Sequence, residues 1–522
     1  MNILLTKRAL APIITVIILI VIGTIVVIGV LSWGKNFTTD SLSKTTSFGN
    51  LTVSDAENFI YLKGLKDGVL AFNYNPPDSI KDEITITHYK LANISGMTPI
   101  ELETPVTLTP NSQNVIYLDC LYAYSVTGEV KLKLITSDNK SIDLTARDTD
   151  LICTSSGSGS LEDPVVLCSA EDLNNIRNAL DLDYKLGKDI DLKCLSRESE
   201  EGFVPIGNGL YQFIGSLDGS GYTIRNLYIN ASESSEIGLF GFTSENAALS
   251  NINLEDINIS GSGSVGGLVG YNSSNISNCY SSGFVSGDSY IGGLIGYNSG
   301  AISNSHSTGT VSGDYYIGGL VGDTTGQITN SYSTGAISGG DYTGGLVGYN
   351  ESTMITNSYS TGAVSGGDYI GGLVGSNQSA DILNSYSTGE VSGHDEVGGL
   401  VGNFWYSSIS NSYSTGAVSG NDAIGGLVGY SEYGAIDNSY STGDASGNYY
   451  IGGLIGKASG GEISDSNSSG DTIGADAVGC LIGAVNSEAE PDILDSNGTG
   501  SYECTGEECS AGCPIGDYFM IH

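Results

Sequence analysis

The feature that most constrains the fold of this chain is a Gly-Gly pair that returns at a nearly fixed interval. The pairs begin at residues 266, 292, 318, 344, 371, 398, 425 and 452, and Gly479-Cys480 continues the series. The first intervals are 26 residues and the later ones are 27. A repeat of this length is typical of a solenoid, in which each unit stacks on the unit before it.

One unit reads GGLVGYN, then ITNSYSTG, then AVSGGDYI, and IGLFG at 237–241 is a degenerate earlier copy. Each unit holds three short strand-like stretches separated by Gly or Asn corners, and it is too short for two helices. We therefore predict a right-handed β-solenoid with three strands per coil. The Leu and Val of GGLVG, the Ile before the Asn and the Val of VSG would point inward. At ~4.8 Å per coil, about ten or eleven coils would form a rod of roughly 50 Å.

The charge of the chain is strongly one-sided. The formal net charge is −39, and from Asn226 to His522 there are 31 Asp and Glu against a single Lys, Lys457, and no Arg. A nucleic-acid partner requires basic residues that neutralise phosphates, so this composition argues against DNA or RNA binding. The imbalance predicts a soluble, self-repelling surface, and Ca²⁺ binding or a salty habitat would also fit it.

The N-terminus carries an uncharged, apolar run between Arg8 and Lys35. As a helix, residues 10–33 would span ~36 Å, enough for a bilayer core of ~30 Å. The preceding basic residues predict a cytoplasmic N-terminus, with the rest of the chain outside. The run allows a cleaved secretory signal, a membrane anchor or the core helix of a filament. The first fits worst, because no small-residue cleavage site closes the run.

These patterns predict a mainly β chain with one long N-terminal helix, followed by a small β-sandwich and the solenoid. The sandwich is predicted from alternating stretches such as ITITHYKL and EVKLKLIT. A short helix that begins at Ser169 is expected among the first coils. The predicted segments are a signal peptide (1–9), a hydrophobic transmembrane or filament-core helix (10–35), the β-sandwich head (36–152), a linker (153–160), lead-in coils (161–236), the repeats (237–500) and a Cys-rich cap (501–522).

The repeats resemble the GLUG repeat of bacterial and archaeal surface and secreted proteins. The clearest copies are GGLVGYNESTMITNSYSTGAVSG and GGLVGSNQSADILNSYSTGEVSG, and the resemblance covers about 161–500. It implies a β-solenoid on a cell-surface protein and no particular activity.

The N-terminus resembles archaeal type IV pilins and archaellins, whose short basic signal is cut by a prepilin peptidase before the apolar stretch. Arg8-Ala9 followed by Leu10 matches that pattern, so the resemblance implies cleavage after Ala9. It also implies self-association into a filament, with the pilus assembly machinery as a partner. Residues of the filament core would be Pro12, Ile13, Ile14, Ile17, Ile18, Ile20, Val21, Gly23 and Val26.

Two residue types recur once per repeat and predict rows along the solenoid. The aromatic row predicts ring stacking or, if the rings face outward, a strip that binds glycans or surfaces. The Asn row predicts a structural ladder of left-handed corners that fixes the register. The aromatic positions are Tyr280, Tyr332, Tyr359, Tyr386, Tyr413 and Tyr440, with His306 in one gap, and the Asn positions are Asn278, Asn304, Asn330, Asn357, Asn384, Asn411 and Asn438.

A third recurring type is an Asp just before the Gly-Gly pair. Stacked copies would form a line of like charges, which solvent or cations must screen. A solvated turn is the first interpretation. Ca²⁺ at Asp314, Asp341 and Asp368 is the alternative, and no other cofactor is predicted. The recurring positions are Asp288, Asp314, Asp341, Asp368, Asp395, Asp422 and Asp476.

The cysteines and sequons fit an extracellular protein, in which disulfides persist. A zinc site in CTGEECSAGC is the alternative for the C-terminal cysteines, but its spacing is poor and no His is near. Cys279 is predicted to be free. The disulfide candidates are Cys120, Cys153, Cys168, Cys194, Cys480, Cys504, Cys509 and Cys513. The N-glycosylation candidates are Asn36, Asn50, Asn93, Asn139, Asn230, Asn258, Asn272, Asn275, Asn350, Asn377, Asn467 and Asn497.

No catalytic set stands out in the sequence. The four His are scattered, and GSGSVG at 261–266 runs into a repeat instead of opening a helix, so turn glycines explain it. We therefore expect no enzyme activity and predict an extracellular pilus-like subunit, inserted in the cytoplasmic membrane before assembly. Its solenoid would serve as an adhesive or spacer arm that contacts surface glycans. The alternatives are a single-span membrane-anchored adhesin and, last, a polysaccharide-active solenoid.

Overall fold

The computed structural model describes residues 60–66, 69–74, 84–91, 100–109, 112–117, 129–137, 139, 141–147, 153, 155–195, 199–505, 511–512 and 519–521. The predicted signal peptide, the hydrophobic helix and the filament-core residues from Pro12 to Val26 therefore lie outside the described residues.

The described residues of the head form seven antiparallel strands in two sheets. The strands are β1 (Ile60–Lys66), β2 (Val69–Tyr74), β3 (Thr85–Leu91), β4 (Ile100–Thr107), β5 (Ser112–Tyr117), β6 (Glu129–Thr136) and β7 (Ser141–Arg147). One sheet has the order β1-β2-β5 and the other β4-β3-β6-β7. Leu70 and Phe72 of β2 and Leu132 and Leu134 of β6 are buried, as period-two alternation predicts for sheets with one face on a core.

From residue 165 onward the chain winds into a solenoid of about ten turns, with three faces built from parallel strands. Face A carries the Ile that precedes the Asn corner. Its thirteen strands are Val165–Leu167, Asp183–Leu186, Ser216–Asp218, Ala248–Ser250, Asn275–Ser277, Ile302–Ser303, Ile328–Thr329, Met354–Thr356, Asp381–Leu383, Ser408–Ser410, Ala435–Asp437, Glu462–Ser464 and Asp492–Leu494.

Face B follows the Gly-Gly pair in each coil. Its eleven strands are Phe240–Thr243, Val269–Asn272, Ile295–Asn298, Val321–Thr324, Val347–Glu351, Val374–Gln378, Val401–Trp405, Val428–Glu432, Ile455–Ser459, Ile482–Asn486 and Phe519–Ile521.

Face C is the widest, because in most coils it is divided into three short strands. These begin at the Tyr-Ser pair, at the Val-Ser pair and just before the Gly-Gly pair. Its thirty strands are Ile190–Asp191, Thr223–Arg225, Tyr228–Ile237, Asn253–Gly266, Tyr280–Ser286, Ser289–Gly292, His306–Ser307, Thr310–Ser312, Tyr315–Gly318, Tyr332–Ser333, Ile337–Ser338, Asp341–Gly344, Tyr359–Ser360, Val364–Ser365, Ile370–Gly371, Tyr386–Ser387, Val391–Ser392, Asp395–Gly398, Tyr413–Ser414, Val418–Ser419, Asp422–Gly425, Tyr440–Ser441, Ala445–Ser446, Tyr449–Gly452, Asn467–Ser468, Thr472–Gly474, Asp476–Gly479, Asn497–Gly498, Tyr502–Cys504 and Ala511–Gly512.

The Gly-Gly pair makes the corner between faces C and B, where the backbone leaves no room for a side chain. A Cβ added to Gly292 would lie 1.9 Å from the carbonyl oxygen of Ile295. A Cβ on Gly293 would lie 2.2 Å from the Ser307 Oγ and 2.3 Å from the carbonyl oxygen of Gly319. Any larger residue at these positions would push neighbouring coils apart, which explains why the pair is repeated.

The interior combines apolar rows with a buried row of hydroxyls. Leu294, Leu320 and Leu346 stack at zero exposure. The inner Ser row begins one coil after Cys279. In it, each backbone N–H donates to the Oγ of the next coil at 3.0–3.2 Å, and each Oγ donates to the carbonyl two residues earlier at 2.7–2.9 Å. The row comprises Ser305, Ser331, Ser358, Ser385, Ser412, Ser439, Ser466 and Ser496.

The predicted fold class, with its long N-terminal hydrophobic helix, is wrong: the described residues are mainly β and contain only a short helical segment. Within the described residues, helix α1 (Ala170–Asn175) continues into a 3₁₀ turn (Ile176–Asn178), and Ser169 caps it by accepting the Asp172 N–H at 3.0 Å. No helix in this part of the chain is long and apolar enough to cross a membrane. The prediction depended on residues 10–33, which are not described, whereas the described sequence is dominated by strand patterns and Gly or Asn corners.

Candidate interaction surface

The predicted aromatic row forms one continuous stack on face C, which we call the Tyr stripe. Ring centroids of consecutive members are 4.4–5.0 Å apart. From Tyr332 to Tyr440 the ring planes differ by only 2–4°. His306 fills its gap between Tyr280 and Tyr332, and burial lowers the pKa of its imidazole.

This geometry limits what the Tyr stripe offers to a ligand. Parallel rings at this spacing face one another, so each ring covers much of its neighbour's face, as in offset stacking. Ring edges and hydroxyl groups are what remain on the surface. The stripe therefore ties neighbouring coils together and presents few open ring faces for a sugar to pack against.

A second stack, absent from the sequence-based prediction, lies at the corner between faces C and B. We call Tyr290, Tyr316, Tyr342 and Tyr369 the corner row. Their centroids are 4.6–5.0 Å apart, and each residue adopts a positive φ of 56–62°. Tyr rarely adopts a left-handed conformation, so this backbone geometry was not predicted. The available signal was the Tyr that recurs two residues before the Gly-Gly pair in SYIGG, YYIGG, DYTGG and DYIGG.

A third stack runs along the outside of face B, seven residues after each corner-row position. Phe242, Tyr271 and Tyr297 stack at 4.3 and 4.6 Å, and Tyr349 and Tyr430 occupy the same row further along. We call this the face B row. It meets the corner row edge to face, with Tyr290 6.4 Å from Tyr297 and Tyr316 5.8 Å from Tyr349.

Two half-buried acids interrupt these aromatic rows. Asp323 holds the face B position between Tyr297 and Tyr349. Burial, reinforced by Glu351, raises the pKa of Asp323 to about 7. Glu396 holds a corner-row position, where it accepts a hydrogen bond from Asn403 Nδ2 at 2.6 Å, and burial raises its pKa to about 7 as well.

Lys457, the only Lys or Arg beyond Arg225, lies in the face B row. Its Nζ is 5.7 Å from the centroid of the Tyr430 ring and 5.4 Å from that of Tyr450. Both distances are within the range of a cation–π interaction. The aromatic corner can therefore hold an ammonium group.

The recurring Asp residues do not form the single line that the sequence predicted. Asp288 lies opposite Asp314, but Asp341 pairs with Tyr315, one position further on. Asp288 and Asp314 lie four residues before the Gly-Gly pair, whereas Asp341 and Asp368 lie three residues before it, so Asp314 falls out of line with Asp341 and Asp368. Asp476 is likewise separated from the other copies by Tyr449.

The aligned Asp side chains mainly bond to the backbone of the next coil. Asp341 accepts the N–H of Asp368 at 3.0 Å, and Asp368 accepts the N–H of Asp395 at 3.2 Å. His394 Nδ1 lies 3.1 Å from carboxylate oxygens of both Asp368 and Asp395. This cluster shares only Asp368 with the three residues predicted to bind Ca²⁺. Ca²⁺ binding along this row stays a prediction.

The outer Asn row occupies left-handed corners, with φ between 45° and 55° at all seven positions. Amide groups bridge successive copies: Asn357 Nδ2 donates to Asn330 Oδ1 at 3.2 Å, and Asn438 Nδ2 donates to Asn411 Oδ1 at 2.6 Å.

Three predicted glycosylation sites are wrong, because their side chains lie inside the solenoid. Asn272, Asn350 and Asn377 have zero exposure. Asn350 Nδ2 donates to Asn377 Oδ1 at 2.7 Å, so both amides belong to the core. The other candidates from residue 139 onward are exposed or half-buried: Asn139, Asn230, Asn258, Asn275, Asn467 and Asn497. Asn36, Asn50 and Asn93 lie outside the described residues.

Cys153 and Cys168 form a disulfide with each other. Cys194 and Cys480 each take part in a further disulfide. Cys279 is free and buried, and burial raises the pKa of its thiol to about 12, so it is an unreactive core residue. The structure does not describe the side chains of the other candidates, Cys120, Cys504, Cys509 and Cys513.

Comparison with known families identifies eight consecutive GLUG motifs, at 261–286, 287–312, 313–338, 339–365, 366–392, 393–419, 420–446 and 447–474. The repeats of this chain are therefore GLUG repeats, and they form the β-solenoid described above.

Two curated proteins share parts of the sequence. One, described as a Gly-rich membrane protein of Evansella cellulosilytica, is 38% identical over 127 residues, which is 23% of this chain and 15% of that protein. The other, halomucin of Haloquadratum walsbyi, is 35% identical over 146 residues, which is 26% of this chain and 2% of halomucin. The matched regions are thus small parts of both relatives.

Solved structures resemble the chain only loosely. An IgA1 protease aligns with 80% of this chain and 29% of its own at a TM-score of 0.27 and 14% identity. The A-module of a mannuronan C-5 epimerase aligns with 70% of this chain and 98% of its own at a TM-score of 0.25 and 10% identity.

Proposed function

We propose that this chain is a non-catalytic cell-surface protein whose GLUG solenoid projects from the cell as a stiff, acidic spacer arm with adhesive capacity. The observation that carries the proposal is the unbroken pairing of each coil with the next on all three faces from residue 240 to 486. The relatives support a surface location, since one is described as a membrane protein and the other is halomucin.

Rows of side chains add stiffness to this pairing. The inner Ser row, the outer Asn row and the Tyr stripe each connect one coil to the next at a different point of the cross-section. A bend would have to disrupt several rows at once. The acidic surface keeps copies of the arm apart.

A non-catalytic role is supported by the scarcity of bases. Lys457 is the only Lys or Arg from Asn226 onward, and it is engaged with Tyr430 and Tyr450. Among the described residues there, the remaining positive candidates are His306, which lies in a ring stack, and His394, which lies beside two acids. Polysaccharide cleavage that uses a Lys, Arg or His as its base therefore finds no uncommitted candidate among the described residues from 226 onward.

Removal of whole coils distinguishes a spacer from an adhesin with one fixed site. Cells would carry chains that lack residues 339–392 (two coils) or residues 393–446 (two others), and attachment to a surface would be measured. A spacer loses function equally in both deletions and regains it when two coils are duplicated elsewhere. Loss in only one deletion would contradict the spacer role. Protease cleavage of the arm on intact cells tests its exposure.

Assembly into a pilus-like filament is a finer proposal, supported by the Arg8-Ala9-Leu10 pattern, by Pro12 near the start of the apolar run and by the β head that follows it in the sequence. It requires cleavage after Ala9. Mass spectrometry of the native N-terminus tests it: a chain that begins at Leu10 supports a filament subunit, and an intact Met1 contradicts it.

A further inference from the structure

The face B row is broken at Asp323, and this break is the most distinctive feature of the solenoid surface. Tyr297 pairs with Asp323, and Asp323 pairs with Tyr349, so the carboxylate stands where the adjacent coils carry rings. With strands ~4.8 Å apart, the two Tyr positions are separated by two spacings, ~9.6 Å. The small side chain of Asp323 therefore leaves the space of about one ring between them.

The walls of this space are aromatic. Tyr316, seven residues before Asp323, closes the corner side; its ring lies 5.8 Å from Tyr349 at 80° and stacks between Tyr290 and Tyr342. Tyr297, Tyr316 and Tyr349 are each half-buried and reach solvent. Among the described residues, no hydrogen bond or ion pair engages the Asp323 carboxylate.

The solenoid itself shows what such a space can hold. Lys457 and Asp323 have ring neighbours at equivalent positions. The residue that precedes each in the face B row is Tyr430 for Lys457 and Tyr297 for Asp323. The residue seven positions earlier in the sequence is Tyr450 for Lys457 and Tyr316 for Asp323. At Lys457 the ammonium group lies over both rings. At Asp323 a ring stands at each of the same two positions and a carboxylate replaces the ammonium group, but Tyr316 is stacked between Tyr290 and Tyr342, whereas Tyr450 lies between Ala423 and Ala477.

We propose that Tyr297, Tyr316, Tyr349 and Asp323 form a binding site for an organic ammonium cation, such as a lysine side chain of a partner or a free alkylamine. Tyr297 stacks on Tyr271, so its other face, together with the ring of Tyr349, attracts the cation through the ring quadrupoles. Tyr316 bounds the site, and the carboxylate supplies the opposite charge. An inorganic cation fits this site less well, because Ca²⁺ requires six to eight oxygen ligands. The site does not depend on the spacer function.

The charge state of Asp323 sets a pH dependence for binding. The groups that interact electrostatically with its carboxylate are Glu351 and the hydroxyls of Tyr271, Tyr316 and Tyr349, and burial raises its pKa to about 7. The carboxylate is therefore mostly neutral at pH 6 and mostly charged at pH 8. Binding of the cation is expected to be several-fold tighter at pH 8.

The test is calorimetric titration of the full chain with butylammonium chloride, an analogue of the lysine side chain, and with neutral butanol as the matched probe. We expect one site for butylammonium and none for butanol. Asp323→Asn should weaken binding at least tenfold, Asp323→Tyr should abolish it by filling the space with a ring, and Tyr349→Leu should weaken it while the carboxylate stays. Asp381→Asn, an exposed acid on face A, should leave binding within twofold.

Two results would overturn the proposal. The first is equal binding by the wild type, Asp323→Asn and Asp323→Tyr, which would indicate general attraction to an acidic surface. The second is binding of CaCl₂ that depends on Asp323 without binding of butylammonium. Circular dichroism of each variant confirms that the solenoid is intact. To distinguish a lysine side chain of a partner from a free amine, a lysine-containing peptide and the same peptide with its lysine acetylated are titrated in the same way.

Discussion

At the residue scale, Asp323 and the inner Ser row contrast a half-buried polar group that lacks hydrogen-bond partners among the described residues with buried polar groups whose hydrogen bonds are made. Asp323 is a carboxylate placed among rings, whereas Ser358 both accepts a backbone N–H and donates to a backbone carbonyl. The first is expected to cost stability and the second to contribute it.

The pH dependence of stability follows from Asp323. Its pKa is raised from the ordinary value of 3.8 to about 7 in the fold, so the folded chain binds more protons than the unfolded chain between these values. Stability is therefore lost as the pH rises from 4 towards 7. Asp323→Asn should stabilise the chain at pH 8, by an amount on the order of 2–4 kcal/mol, and much less at pH 4. Denaturant unfolding at both pH values measures this. A pH-independent effect would contradict it.

The inner Ser row predicts a contrast between two serines of the same repeat. Ser358→Ala removes the acceptor of the Ser331 N–H inside the core, so it should destabilise by about 1–3 kcal/mol. Ser365→Ala, at an exposed position of face C, should change stability by less than about 0.5 kcal/mol. Thermal unfolding of the two variants compares them directly, and equal effects would argue against the buried ladder.

Burial also decides which sequons can be modified. Asn377 lies in the core with zero exposure, whereas Asn230 is exposed. Glycopeptide mass spectrometry of the native protein should find Asn272, Asn350 and Asn377 unmodified. A glycan on Asn377 in the folded protein would show that the face B strands are not packed as described.

At the element scale, the Tyr stripe is a stack whose rings support one another across coils. Tyr386→Ala breaks two contacts, with Tyr359 at 4.8 Å and Tyr413 at 4.9 Å. At about 0.5–1.5 kcal/mol per aromatic pair, the expected loss is roughly 1–3 kcal/mol. Tyr386→Phe keeps the rings stacked and should be nearly neutral. If the Phe variant kept full stability but lost attachment to surfaces, the hydroxyl edge of the stripe would have a recognition role.

The sequence was sufficient to predict several of the elements that recur once per repeat at a fixed offset. The Gly-Gly corner, the Tyr stripe and the GLUG solenoid are of this kind, because identical positions in successive coils must stack. Rows that change residue type could not be predicted in this way. The face B row passes from Tyr297 to Asp323 to Tyr349, so only the paired strands reveal it as one row.

Register caused the remaining errors. Asp314 lies four residues before its Gly-Gly pair and Asp341 only three, which places Asp341 opposite Tyr315, so the predicted trio of Asp314, Asp341 and Asp368 does not line up. The sequence did not show whether the last residue of GGLVGYN points into the solenoid or towards solvent. The sequon at Asn350 was therefore predicted as a surface site, although its side chain is buried. In a strand a shift of one position exchanges the core for solvent.

At the scale of the whole molecule, each GLUG repeat is one coil, and the coils are expected to add linearly to the length of the arm. Contacts between coils involve only neighbours, so whole repeats can be removed or added without loss of the others. This property distinguishes a solenoid arm from a globular domain of the same size, in which removal of two such repeats would disrupt one shared core.

The most direct test is solution X-ray scattering of the full chain beside a chain that lacks residues 339–392 and one in which they are duplicated. Removal of two coils should shorten the maximum dimension by ~10 Å and duplication should lengthen it by the same amount, with the cross-section unchanged. A cross-section that changes while the length does not, or unfolding of the shortened chain, would contradict the account.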